Sequence, residues 1–200
     1  MNKRRLIGSP LQWGAIPAFP VPPPHIPALA ERGGTQIKAP LPVLLVDTRE
    51  QDPFDFRPYA NWFGGIKRTK LELGDYSVEG MEDRCVVERK SLSDLVKSFT
   101  EQDRHVLRQR LRLMAEYPDS LLVVDAPMSQ VKSRYEFSGA NPNQITQSVF
   151  AVMVGLRIQT FFAETHELGS EMVAWYLYNA HLYHWLEQNG FGRIIADNDL

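Results

Sequence analysis

The sequence predicts an α/β fold in which helices pack on a central mixed β-sheet. Short apolar runs of β-branched and aliphatic residues, each closed by an acid, recur between residues 43 and 164, and segments of helical period separate the later ones. Strands come first, and helix and strand then alternate, an order that places the helices on the faces of one sheet. With 200 residues, of which 44% are hydrophobic, the chain is long enough for one core burying roughly 70% of its unfolded surface, so one principal domain is expected.

The first run, Val43-Leu44-Leu45-Val46, suits a strand buried on both faces and ends at Asp47. Cys85-Val86-Val87 leads into Glu88, Leu121-Leu122-Val123-Val124 leads into Asp125, and residues 158–162 end near Ala163-Glu164. Helical patterns cover residues 91–100, 104–117, 142–155 and 167–188. Asn141 before Pro142 reads as an N-cap followed by proline at N1, with Gln144 at N3, and Gly190 follows the last helix. Ile145, Val149, Val152, Met153 and Leu156 mark a core face, and Val106, Leu107, Leu111 and Met114 mark another. The last helix holds Trp175, Tyr176, Tyr178, Tyr183 and Trp185 with His166, His181 and His184 near them. No carboxylate shares a ligand-like spacing with these histidines, so core or dimer packing is the expected role.

Residues 1–42 differ in kind. They hold nine of the 14 prolines and no strand or helix period, which predicts a disordered or polyproline-like arm. This arm has five basic residues and one acidic, a net of +4, leaving 17 basic and 23 acidic residues for 43–200. Its Trp13, Ile16 and Phe19 are candidates for docking on a surface, with a loosely tethered tail the expected state. The domain proper is expected over 43–192, with 193–200 a short tail. No run of about 18 apolar residues is present, so no membrane-spanning helix is expected, and no apolar leader follows Asn2-Lys3-Arg4-Arg5. Cys85 is the only cysteine, which excludes an intramolecular disulfide and a cysteine-based zinc site. These features predict a cytoplasmic protein. A net charge of -2 means that a nucleic-acid partner must be met by a local basic patch.

The chemistry-bearing stretch is Gly74-Asp75-Tyr76, followed twelve residues after Asp75 by Val87-Glu88-Arg89-Lys90. A strand ending in Glu88-x-Lys90 puts both side chains on one face. Asp75, returning on the preceding strand of a hairpin, places its carboxylate beside that of Glu88. Hard oxygen ligands of this kind suit Mg²⁺ or Mn²⁺, with the backbone carbonyl of Arg89 as an extra ligand. Such an ion lowers the pKa of a bound water and neutralises charge on a phosphodiester, while Lys90 orients the water or stabilises the transition state. Asp47 supplies another carboxylate, for a second metal, a metal-bound water or Lys90, and Arg49 and Glu50 pair with each other to shape the site. Taken alone, the spacing also fits an exposed hairpin with a salt bridge.

Val46-Asp47-Thr48-Arg49-Glu50, Gly74-Asp75-Tyr76 and Val87-Glu88-Arg89-Lys90 with Asp94 occur together and in order. They resemble the XPF family of structure-specific nucleases, whose pattern is Gly-Asp-Tyr followed by Glu-Arg-Lys-x-x-x-Asp on a restriction-endonuclease-like fold. The resemblance covers about residues 43–185. It implies Mg²⁺-dependent phosphodiester cleavage in DNA near junctions of duplex and single strand, in repair or recombination, with Asp75 and Glu88 as metal ligands, Lys90 as the catalytic lysine and Asp47 as a further active-site acid. Asp94 also fits a capping box with Ser91, in which it reaches back to the Ser91 backbone at the start of a helix whose free N–H groups lie near the site. Cys85, inside an apolar run, reads as a small buried side chain.

For DNA contact, Arg104, Arg108 and Arg112 lie one turn apart on one helix face, and Lys67, Arg68 and Lys70 form a second basic group on the segment delivering Asp75. A basic residue near position 104 recurs in the family. After Gly192 only Arg193 to Leu200 remain, too few for the helix-hairpin-helix domain of larger relatives, and no helicase segment is seen. Junction selectivity is therefore expected from a homodimer through the last two helices, a separate DNA-binding subunit, or the basic arm. The alternatives are a non-catalytic DNA-binding module of the same fold, which intact Asp75, Glu88 and Lys90 argue against, and a restriction-like nuclease or junction resolvase.

Overall fold

Six strands, β1 (Val43–Asp47), β2 (Gly65–Thr69), β3 (Tyr76–Val78), β4 (Cys85–Ser91), β5 (Asp119–Asp125) and β6 (Gln159–Phe162), form one sheet in the order β2-β1-β3-β4-β5-β6. The computed structural model describes residues 39–100 and 104–190. The expected arm up to residue 38 and the tail from 191 lie outside the described residues. Five α-helices accompany the sheet: α1 (Leu92–Thr100), α2 (Arg104–Met114), α3 (Met128–Val131), α4 (Pro142–Gly155) and α5 (His166–Gln188), with a 3₁₀ helix at Arg57–Trp62. β1 runs parallel to β2 and antiparallel to β3, β3 is antiparallel to β4, and β4, β5 and β6 are mutually parallel. The α/β architecture with a mixed, helix-flanked sheet is the one the sequence predicts.

Each face of the sheet carries its own core. On one side Leu44, Val46, Tyr76, Val78, Cys85, Val87, Leu121 and Val123 pack with Phe54, Phe56, Trp62 and the Val173, Ala174 and Leu177 stripe of α5. On the other, Val86, Leu122 and Val124 meet Leu95, Val96 and Phe99 of α1, Leu107, Leu111 and Met114 of α2, and Ile145, Val149 and Val152 of α4. The central runs read as continuously apolar because both faces are covered. Cys85 is fully buried, as a small apolar side chain in such a run should be.

Three expectations are corrected. Val106 is 58% exposed, so the buried stripe of α2 is Leu107, Leu111 and Met114 alone, spaced four and three apart. Lys67 and Arg68 lie on β2, an edge strand of their own with no alternating pattern, and not on the strand that delivers Asp75. A charged edge of this sort resists pairing with other chains. Residues 39–42 belong with the body: Ala39 packs on Leu182 and Leu186, the Pro40 carbonyl lies 3.0 Å from His181 Nε2, and the Pro42 carbonyl accepts from Gly64 N at 2.8 Å.

Helix termini follow local chemistry. Asn141 Oδ1 accepts from Asn143 N at 2.9 Å ahead of Pro142. Thr165 caps α5 by accepting from Leu168 N at 3.2 Å, which starts that helix at His166. No described helix is long and apolar enough to cross a membrane.

Candidate active site

β4 is the element that builds the site, because its two faces carry different chemistry. Val86, Glu88 and Lys90 point toward α1 and α2, while Cys85, Val87 and Arg89 point toward α5. Lys90 Nζ lies 2.9 Å from Glu88 Oε1, as the two-residue period predicts. Asp75 immediately precedes β3, and the Tyr76–Val87 pairing sets it opposite Glu88. Its backbone N–H donates to the Val87 carbonyl at 2.8 Å, and its Oδ2 accepts from Arg89 N at 2.7 Å. The carboxylates of Asp75 and Glu88 are thereby brought together. Burial, and then the charge of Glu88, push the Asp75 carboxyl up to about 7.

The tripeptide Gly74-Asp75-Tyr76 has a separate reason at each position. Gly74 has φ of 79°, and a Cβ there would stand 2.5 Å from Val86 Cγ2 and 2.9 Å from the Val87 carbonyl oxygen. Only glycine lets the chain approach β4 closely enough to deliver Asp75. Tyr76 is buried on the opposite face, and its hydroxyl accepts from Phe54 N at 2.9 Å, which secures the loop after β1.

Arg89 anchors the same loop. Its guanidinium donates to Asp125 Oδ2 at 2.6 Å and Asp52 Oδ2 at 2.7 Å, reaches Glu50 Oε1 at 3.4 Å, and lies over the Phe54 ring. Asp125 Oδ2 is also 2.8 Å from His166 Nδ1. Asp52, Asp125 and His166 are grouped closely enough to hold an ion, an arrangement sequence spacing did not reveal because Asp125 lies 41 residues before His166. The Arg89 cation occupies that space, so the cluster is a charge network on the far face of β4 from Asp75 and Glu88.

Asp47 is fully engaged. Its Oδ1 accepts from Arg49 N and Nε at 2.7 and 2.8 Å, and its Oδ2 from Arg49 Nη2 and Leu71 N at 3.0 and 2.7 Å. Four donors fill the lone-pair positions of a carboxylate. The Arg49 hydrogen bonds, above all, hold its carboxyl down at about 2. In this arrangement Asp47 fixes Arg49. The expected Arg49–Glu50 pair is absent: Arg49 pairs with Asp47, and Glu50 faces Arg89.

Ser91 and Asp94 do form a cap, in altered form. Ser91 Oγ accepts from Asp94 N at 3.1 Å and donates to Asp94 Oδ2 at 2.7 Å, so the acid meets the serine hydroxyl and not its backbone. The acid also sits in the first turn of α1, where it opposes anion binding.

Among the basic candidates, Lys67 pairs with Glu79, and Arg68 donates to the Glu50 carbonyl at 2.9 Å. Lys70 lines a small depression with Glu72, Glu82 and Asp83. Arg108 and Arg112 border a groove between α2 and α4 with Leu111 and Ala151. The Arg104 side chain lies outside the described residues. The arginine of α2 that reaches the carboxylates is one the sequence reading passed over: Arg110 Nη2 lies 2.8 Å from Glu88 Oε2. Its off-row position in the helix was the available signal.

The ERCC4 domain model matches residues 46–174, a span that holds every one of these site residues. The chain belongs to the ERCC4-domain family. Its fold is similar to that of XPF from Aeropyrum pernix, at 20% identity and a TM-score of 0.54, over 70% of this chain and 65% of that one. XPF from Aeropyrum pernix in complex with DNA is similar at 21% identity and a TM-score of 0.53, over 70% of this chain and 64% of that one. This ERCC4-domain chain therefore spans about two thirds of the length of those chains, and the likeness is one of fold. No curated protein matches the sequence. The family shown is the XPF-type nuclease family that the motif resemblance implies.

Proposed function

We propose that this chain is a metal-dependent DNA endonuclease that hydrolyses phosphodiester bonds, with Mg²⁺ as cofactor and Mn²⁺ as substitute. The observation that carries the reading is Asp75 set opposite a buried Glu88, with Lys90 on the same strand face. DNA as substrate is supported by ERCC4-domain membership and by the similar fold of an XPF described in complex with DNA. Branched, forked or flapped DNA in repair or recombination is the proposed target, selected with a second copy, a separate DNA-binding subunit or the basic arm.

The donor set fits a hard divalent cation. Asp75 Oδ1 accepts no hydrogen bond among the described residues, and burial first, then repulsion from the facing Glu88 carboxylate, makes Asp75 hold its proton to about 7. Asp75 and Glu88 would hold the ion, with the Arg89 carbonyl beside them. When bound, such an ion lowers the pKa of a coordinated water and offsets charge developing on the phosphate. The Arg89 N–H keeps Asp75 Oδ2 in place, so its second oxygen faces the site. Lys90 spends one of its three donors on Glu88 and has two for a water or phosphate oxygen. Arg49, pinned by Asp47 with its side chain 57% exposed, offers its remaining donors to the DNA backbone.

Cleavage of labelled fork, 3′-flap and plain duplex DNA with Mg²⁺, Mn²⁺ or EDTA, beside Asp75→Asn and Lys90→Ala, tests the reading. Metal-dependent cutting lost in both variants is expected. Cutting that survives Asp75→Asn would remove the acid pair from the chemistry.

A further inference from the structure

Glu88 carries two cations. Lys90, on its own strand, takes Oε1, and Arg110, from α2, takes Oε2 at 2.8 Å. Arg110 sits two residues from both Arg108 and Arg112, so at about 100° per residue it faces nearly away from that row. Leu107, Leu111 and Met114 fix α2 on the sheet and thereby aim Arg110 at Glu88. The two partners differ in freedom: the Glu88 side chain is 2% exposed, whereas that of Arg110 is 39% exposed on a long stem. Arg110 Nε is buried and has no acceptor among the described residues. A planar guanidinium with an idle donor is preorganised for an anion offering two oxygens, as a phosphate does.

We propose that Arg110 is a placeholder cation, which neutralises Glu88 until a divalent ion takes that carboxylate and then turns to a phosphate of the bound DNA. The proposal rests on the metal-dependent nuclease reading of Asp75 and Glu88. Glu88 Oε1 is taken by Lys90 and Oε2 by Arg110, so an ion bound through Oε2 would compete with the guanidinium for that oxygen and be repelled by its charge. Displacement is coupled to substrate: an arginine released at the site meets the charge that arrives with DNA. Arg110 is in this sense a positioning residue in the free protein and a phosphate ligand in the complex.

The test is Mn²⁺ titration calorimetry on the full chain without DNA, comparing wild type, Arg110→Gln, Arg110→Lys and Asp75→Asn. Removing the competitor should tighten Mn²⁺ binding in Arg110→Gln by about fivefold, a reasonable share of a partly exposed charge-assisted hydrogen bond. Arg110→Lys keeps the charge and should stay near wild type. Arg110→Met, which keeps the packing of the stem, replaces Arg110→Gln if the latter melts early. In the second arm, DNA binding is measured with Ca²⁺ or with EDTA. Arg110→Gln should weaken binding in Ca²⁺ and leave it unchanged in EDTA, where Glu88 still holds the arginine. Unchanged or weaker Mn²⁺ affinity in a folded Arg110 variant overturns the placeholder role, as does an equal loss of DNA binding in both media. The parent reading fails separately, if Asp75→Asn binds Mn²⁺ as wild type does.

Discussion

Asp47, buried at the end of β1, and Asp75, half-buried just before β3, are neighbouring acids whose environments drive them in opposite directions. Asp47, held by three Arg49 nitrogens and the Leu71 N–H, stays ionised down to about pH 2. Asp75, raised to about 7 by burial and by Glu88, keeps a proton in the folded state that the unfolded chain releases near 3.8. Its protonated form favours folding, so that contribution is full below about pH 4 and is lost as pH rises through 7. A divalent cation requires the ionised carboxylate, so its binding releases a proton and strengthens over the same interval. Mn²⁺ should therefore raise the melting temperature more at pH 8 than at pH 6, and Asp75→Asn should abolish both the response and its pH dependence. An equal Mn²⁺ shift at pH 5 and pH 8 would disconnect the ion from Asp75.

At the scale of the element, β4 joins two functions through its period of two. One face carries Glu88 and Lys90, and the other sends Arg89 into Asp125, Asp52 and Glu50, tying β4 to β5 and to the loop after β1. Asp125 is nearly buried and would keep only His166 as a partner, so Arg89→Ala should cost about 3–5 kcal/mol in urea unfolding, the range for breaking a buried pair. Arg89→Lys should recover little, because one ammonium cannot replace the fork. A loss under about 1 kcal/mol would place the network among surface pairs. The facing of Glu88 and Lys90 was legible in the sequence because it depends only on strand period, and the central strands and four long helices were legible from apolar runs and caps. What stayed hidden depends on distance through space. Arg89 meets Asp125 36 residues on, Arg110 meets Glu88 across 22, and β2 is an exposed edge strand with no alternation to betray it. The capture of Asp47 by Arg49 is local, but nothing in Asp-Thr-Arg distinguishes it from an exposed turn.

For the whole molecule, charge poses a problem under the proposed reading of DNA as substrate. The 22 basic and 24 acidic residues are unevenly shared, and residues 1–38 hold five basic against one acidic, so the body is acidic overall. Several of its cations are already engaged, Arg89 with Asp125, Lys67 with Glu79 and Arg110 with Glu88. Under that reading, long-range attraction to DNA would come from the amino-terminal segment and a few arginines, among them Arg108 and Arg112. Deleting residues 2–38 tests this cleanly, because Ala39, Pro40 and Pro42, which contact the body, are retained. Each phosphate contact releases counterions and contributes about 0.9 to the slope of log K against log salt, so loss of a net +4 should reduce that slope by up to about 3 to 4. Affinity should fall most at low salt, while the cleavage rate at saturating DNA stays at the full-length value, since the Asp75, Glu88 and Lys90 site is untouched. A slope unchanged by the deletion would assign DNA attraction to the arginines of α2, and Arg108→Ala with Arg112→Ala should then lower it instead.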